Sequence, residues 1–163
     1  MNYFDLFGIP MAPVIDKTML AKKYFELQRA SHPDFFSNEN EATKEDALQA
    51  SADINKAFKI FQHPDRTLEY FLREKGIIAT DEKYELPPAF LMEMMELNEG
   101  LMEDSPADSE AKISSLAASL SAEVKPILDS YDADKTTAAE LAALKAYYYK
   151  KKYLKRILER LAD

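Results

Sequence analysis

Apolar residues recur along most of this chain at spacings of three and four, the period of an amphipathic helix. Leu20, Tyr24, Leu27 and Ser31 mark one such face, with Ala21, Phe25 and Gln28 beside it. Ala47, Ala50, Ile54, Phe58 and Phe61 mark a second, whose small alanines permit close helix packing. Leu68, Phe71 and Leu72 form a third. Further on, Phe90, Leu91, Met94, Leu97 and Leu101 predict one helix, and Ile113, Leu116, Leu120, Val124, Ile127 and Tyr131 another. Leu141, Leu144, Tyr147, Tyr148, Leu154, Ile157, Leu158 and Leu161 predict the last. The segment from Tyr3 to Phe7 supports at most one or two turns before Gly8 and Pro10. No stretch alternates convincingly with period two, so the expected class is all-α.

Punctuation sets the boundaries. Asp16 is a good N-cap for the first long helix, which should end near His32 because Pro33 disfavours the α conformation in its predecessor. Residues 33–41 read as a loop with Ser37, Asn38 and Asn40. Pro64 opens a helix and Gly76 follows its end. Residues 76–86 have no sustained period and read as a linker, and a new helix begins at Pro87-Pro88 and stops near Asp104-Ser105-Pro106. Pro126 falls inside a helical pattern, where a kink or break is expected. The expected organisation is a helical domain over 1–75, a linker over 76–86 and a three-helix bundle over 87–163.

Composition narrows the chemistry. The 163 residues include three glycines, few for a β-rich or phosphate-cradling protein. There is no cysteine, which excludes disulfides, thiolate metal sites and a cysteine nucleophile. The formal net charge of −8 argues against nucleic acid as a general partner. No apolar run approaches the roughly 20 residues that span a bilayer, so no membrane partner is expected. The opening MNYFDLFGIP lacks the basic and apolar regions of a signal peptide.

The two histidines each open the same tripeptide, His32-Pro33-Asp34 and His63-Pro64-Asp65. The second is explained by helix punctuation: Pro64 suits the first helical position, and Asp65 suits the positive end of the helix dipole. The first ends a long helix and opens a loop before another, where it would be displayed at the tip of an antiparallel hairpin or serve as a plain helix stop. The helix entering that loop carries Lys22, Lys23 and Arg29, interleaved with Tyr24 and Phe25. In an acidic chain this is either a solvated face or a docking strip for an acidic partner. On the helix after Pro88, Phe90, Met94, Leu97 and Leu101 fill one stripe, leaving Leu91, Met92, Met95 and Glu99 on adjoining faces. One buried stripe suffices for a bundle helix. The extra residues are therefore an exposed apolar strip rimmed by Glu96 and Glu99, or part of a broad core or dimer contact. Lys150-Lys151-Lys152 reads as a solvated face or a partner contact.

The order of a short first helix (NYFDLFG), a basic second helix, HPD at its end and an Ala/Ile/Phe-faced third helix resembles the J-domain of DnaJ-type co-chaperones. With YFDLFGIP, LQRASHPD, SADINKAF and AFLMEMMEL in place, essentially the whole chain resembles the HscB-type J-domain co-chaperones of iron–sulfur cluster assembly. The resemblance implies an L-shaped arrangement of an N-terminal J-domain and a C-terminal three-helix module. It implies no enzymatic activity and no cofactor. His32, Pro33, Asp34, Lys23 and Arg29, with Lys22 added by proximity, match the surface used against an HscA/DnaK-type ATPase chaperone. Leu91, Met92, Met95, Glu96 and Glu99 match the strip that holds an IscU-type scaffold protein, joined by one of Tyr147, Tyr148 and Tyr149. Ser31 replaces the aromatic or basic residue often found before HPD. The expected compartment is a bacterial cytoplasm rather than a mitochondrial matrix.

Three rivals define the tests. A general J-domain adaptor would serve another client. A metal-dependent hydrolase would use both His/Asp pairs, although these fall at opposite ends of a helix about 30 Å long. A purely structural helical adaptor or dimer would rest on the C-terminal bundle alone.

Overall fold

The computed structural model describes residues 1–162, with side chains through Arg160; Leu161 of the last apolar face and the final residue of the expected C-terminal domain lie outside that description. Two compact units emerge, one over Met1–Lys75 and a second beginning at Gly76. Among the described residues all regular structure is helical. Among the described residues no helix is long and apolar enough to cross a membrane.

The first unit contains α1 (Tyr3–Phe7), α2 (Lys17–Ser31), a short 3-10 turn (Pro33–Phe36), α3 (Glu41–Phe61) and α4 (Pro64–Glu74). Local chemistry sets these ends. Asn2 Oδ1 accepts from the Asp5 amide at 2.8 Å, and the Asp5 carboxylate accepts in return from the Asn2 amide, closing a capping box on α1. Asp16 caps α2 through the Met19 amide at 2.8 Å, and Asn40 caps α3 through the Thr43 amide at 2.8 Å. Pro64 occupies the start of α4, and Gly76 just beyond its end has a φ of +72°.

α2 and α3 pair in antiparallel fashion, because contacts advance along one as they retreat along the other. Tyr24 stacks on Phe58 at 4.0 Å, while four residues later Gln28 accepts from the Ser51 hydroxyl at 3.0 Å. Between them, Asn55 Oδ1 accepts from both the Tyr24 hydroxyl and the Gln28 amide. The core beneath is aromatic. Phe4 and Phe7 meet Phe61 at ring separations of 5.1 and 5.6 Å, and Phe71 and Leu72 are fully buried.

The second unit contains α5 (Pro88–Glu103), α6 (Pro106–Asp129) and α7 (Ala138–Ala162). Phe90, Met94, Ile113, Leu120, Val124, Leu144, Leu154 and Ile157 are buried. A capping box starts α7, with Thr137 Oγ1 accepting from the Glu140 amide and Glu140 Oε1 from the Thr137 amide, each at 3.1 Å. Of the kink or break expected at Pro126, the break is absent: α6 runs on to Asp129. Pro126 lies within the last turn, where a proline removes one backbone hydrogen bond with little helix left to disturb. Its carbonyl accepts from both the amide and the hydroxyl of Ser130, which end the helix.

The stretch 76–86 has no helix, yet it is not a loose tether within this unit. Ile78 is buried. Glu82 accepts from Lys145 Nζ at 2.9 Å and from the Tyr149 hydroxyl at 2.8 Å. Tyr84 stacks on Tyr149 at 4.5 Å with the rings 8° apart. A strap of one carboxylate and one ring thus ties the segment to α7.

Candidate functional site

His32 is the residue at which α2 stops, with φ −64° and ψ 130°, the extended geometry that a following proline enforces. Its Nδ1 accepts from the Asp34 amide at 3.2 Å, which leaves Nε2 as the donor atom of the ring. The Asp34 side chain is 88% exposed and the His32 side chain 49% exposed. The 3-10 turn begun by Pro33 therefore presents an imidazole donor and a carboxylate side by side at the end of the α2–α3 hairpin.

The basic residues of α2 divide. Lys22 and Arg29 are seven positions apart, share a face and are exposed; Lys23 lies about 100° around the helix and is half-buried. Two aromatics complete this face: Phe25, which the sequence interleaves with the basic residues, and Phe35, which the sequence reading did not single out. Phe25 is 66% and Phe35 67% exposed. With Gln28, Arg29, His32 and Asp34 they line an open groove of about 460 Å³. Phe25 falls one residue past Tyr24 of the Leu20–Tyr24–Leu27 stripe and so points away from α3.

The other tripeptide sits apart. His63 precedes α4 without making a side-chain cap, and its carbonyl accepts from the Thr67 hydroxyl at 3.0 Å. The 21 residues of α3 lie between the two tripeptides. Among the described residues no three His, Cys, Asp or Glu side chains group as metal ligands.

In the second unit α5 separates its two faces as the spacing predicts. Phe90 and Met94 are 4% and 0% exposed, whereas Leu91, Met92 and Met95 are 39%, 64% and 63% exposed, with Glu96 and Glu99 exposed beside them. Met102, which the sequence reading passed over, is seven residues beyond Met95 on the same face and 92% exposed. The three tyrosines of α7 have different environments. Tyr147 is a core residue at 6% exposure. Tyr148 is half-buried under Lys152. Tyr149 stacks on Tyr84, just before α5, with its hydroxyl on Glu82. The lysines after them also sit over rings, Lys150 over Phe90 and Lys151 over Tyr147.

Residues 86–162 match a family model described as the HSCB C-terminal oligomerisation domain. A co-chaperone protein HscB homolog from Shewanella halifaxensis is 38% identical over 150 residues, covering 86% of this chain and 86% of the relative. The chain belongs to the HscB co-chaperone family. Among solved structures, human co-chaperone protein HscB matches with a TM-score of 0.78 at 26% identity, covering 99% of this chain and 81% of that one. Chaperone HscB from Vibrio cholerae matches at 0.64 and 29% identity, covering 99% and 96%. HscB proteins pair a J-domain with a helical C-terminal domain and act as non-enzymatic helpers in iron–sulfur cluster assembly. The family implies a chaperone and a scaffold as partners in general.

Proposed function

We propose that this HscB-type chain stimulates the ATPase of an HscA/DnaK-type chaperone and delivers to it an IscU-type scaffold protein during cluster assembly and transfer. The observation that carries the reading is the loop at the α2 end. His32 caps the 3-10 turn that Pro33 and Asp34 begin, and the Asp34 carboxylate is 88% exposed with a donor ring beside it. Such a group, exposed on a turn whose backbone is capped, suits a cation on a partner rather than the fold of its own chain. Lys22 and Arg29 extend the contact along α2, with Lys23 at its edge. Residues 1–75 are the proposed J-domain and residues 87–163 the proposed scaffold-binding domain, with 76–86 connecting them.

The scaffold contact is the apolar strip of Leu91, Met92 and Met95, rimmed by Glu96 and Glu99. Tyr149 is the proposed tyrosine of the three, because it packs on the segment that leads into α5, while Tyr147 is committed to the core. The bacterial cytoplasm is the proposed compartment.

The test is the steady-state ATPase of an HscA/DnaK-type chaperone with and without an IscU-type scaffold, comparing the wild-type chain with His32→Gln. Stimulation that the scaffold enhances and His32→Gln abolishes supports both halves of the reading. Stimulation indifferent to the scaffold favours a general J-domain adaptor for another client. No stimulation refutes the chaperone contact.

A further inference from the structure

We propose that Phe25 and Phe35 form the apolar centre of the chaperone contact, a two-ring clamp that receives an aliphatic side chain of the ATPase partner between the flanking charges of Arg29 and Asp34. This rests on the reading of the His32–Asp34 loop as the chaperone-binding site.

The fold does not use these rings. The aromatic with which α2 meets α3 is Tyr24, stacked on Phe58, and the adjacent Phe25 projects about 100° away from it. Phe25 touches Tyr24 edge-on at 5.7 Å, and Phe35 touches His32 edge-on at 6.2 Å, so both rings are braced without being covered. They remain 66% and 67% exposed in a single groove. Rigid aromatics that lose little entropy on being covered are the side chains that dominate interface centres. Phe35 adjoins Asp34 in the chain, and Phe25 shares its helix face with Lys22 and Arg29, so the clamp is continuous with the loop. The opposite charges of Arg29 and Asp34 on the groove specify the occupant further. It carries an acid and a base on either side of the inserted apolar group.

This arrangement sets the salt response. Exposed charge pairs are screened within about 10 Å at ordinary ionic strength, whereas burial of a ring is not. A contact made by Lys22, Lys23 and Arg29 alone would weaken steeply with salt; one centred on two rings would not.

The experiment is the concentration of this chain that half-saturates ATPase stimulation of an HscA/DnaK-type chaperone, at about 0.05 M and about 0.3 M potassium chloride. For the wild type a shift of less than about threefold is expected across that range. Phe25→Ser and Phe35→Ser should each raise the half-saturating concentration about tenfold, equivalent to about 1.4 kcal/mol. Phe25→Leu, which keeps an apolar group, should stay within about threefold of wild type. Both positions are exposed, so unchanged circular dichroism melts are expected to accompany these effects. Wild-type curves for both serine variants, or a wild-type chain whose stimulation collapses with salt, overturn the clamp and leave the proposed function standing. Absence of stimulation by the wild type overturns both.

Discussion

Removing the two methionines at the middle of the α5 strip, Met92→Ala with Met95→Ala, separates binding from folding. Their side chains are 64% and 63% exposed, so the fold leaves nearly two-thirds of each available to a partner. Full burial of a methionine side chain yields about 1.5–3 kcal/mol, so completing that burial yields roughly 1–2 kcal/mol. Immobilising the side chain costs about 0.5–1.5 kcal/mol of this. The net is about 0.5 kcal/mol per methionine, and the pair is expected to weaken scaffold binding about fivefold. Isothermal titration with an IscU-type scaffold measures the change, and guanidinium unfolding provides the control. Stability should move by less than about 0.5 kcal/mol per site, as for exposed positions generally. Met94→Ala is the inverse case: at 0% exposure it should cost about 2–5 kcal/mol of stability. A double variant that unfolds as the wild type does and binds within threefold of it would refute the strip as the scaffold site.

Three further outcomes are expected. Asp34→Asn should abolish ATPase stimulation while leaving scaffold binding intact, because the carboxylate is exposed at the loop and far from α5 in sequence; stimulation surviving this change would refute the loop assignment. Ser109→Ala should stabilise the second unit by about 1 kcal/mol, read from thermal or denaturant unfolding, because the Ser109 hydroxyl is buried with no hydrogen-bond partner among the described residues. The Lys145 ammonium and the Tyr149 hydroxyl hold the Glu82 carboxyl below its ordinary value of 4.5. The stabilisation is therefore present above that value and lost as pH falls through the lowered one, so melts of wild type and Glu82→Gln should differ near pH 6, and the difference should shrink as the pH is taken below 4.5.

Much of this architecture is local and was readable. Asp16, Asn40 and Pro64 sit at helix starts because a side-chain oxygen or a missing amide meets an orphan backbone group whatever the rest of the fold does. The division of α5 into Phe90 and Met94 on one side and Met92 and Met95 on the other follows from the period alone. The HPD loop was legible because a proline ends the helix that precedes it. Less legible was the stretch 76–86, whose lack of period hid a strap made by Glu82 and Tyr84 to residues more than sixty positions away.

The sequence by itself determined the helical class and most helix ends, since each depends on residues within a turn or two of one another, and the order of its motifs along the chain carried the resemblance to the family. Tertiary structure alone decided among neighbours. Tyr24 and Phe25 are adjacent and similar in kind, yet one packs on Phe58 and the other stands in solvent. Tyr147, Tyr148 and Tyr149 are identical, yet one is core, one lies under a lysine and one is bound to the strap. Successive helical residues point about 100° apart, so identical side chains meet different surroundings, and those surroundings come from elements distant in sequence.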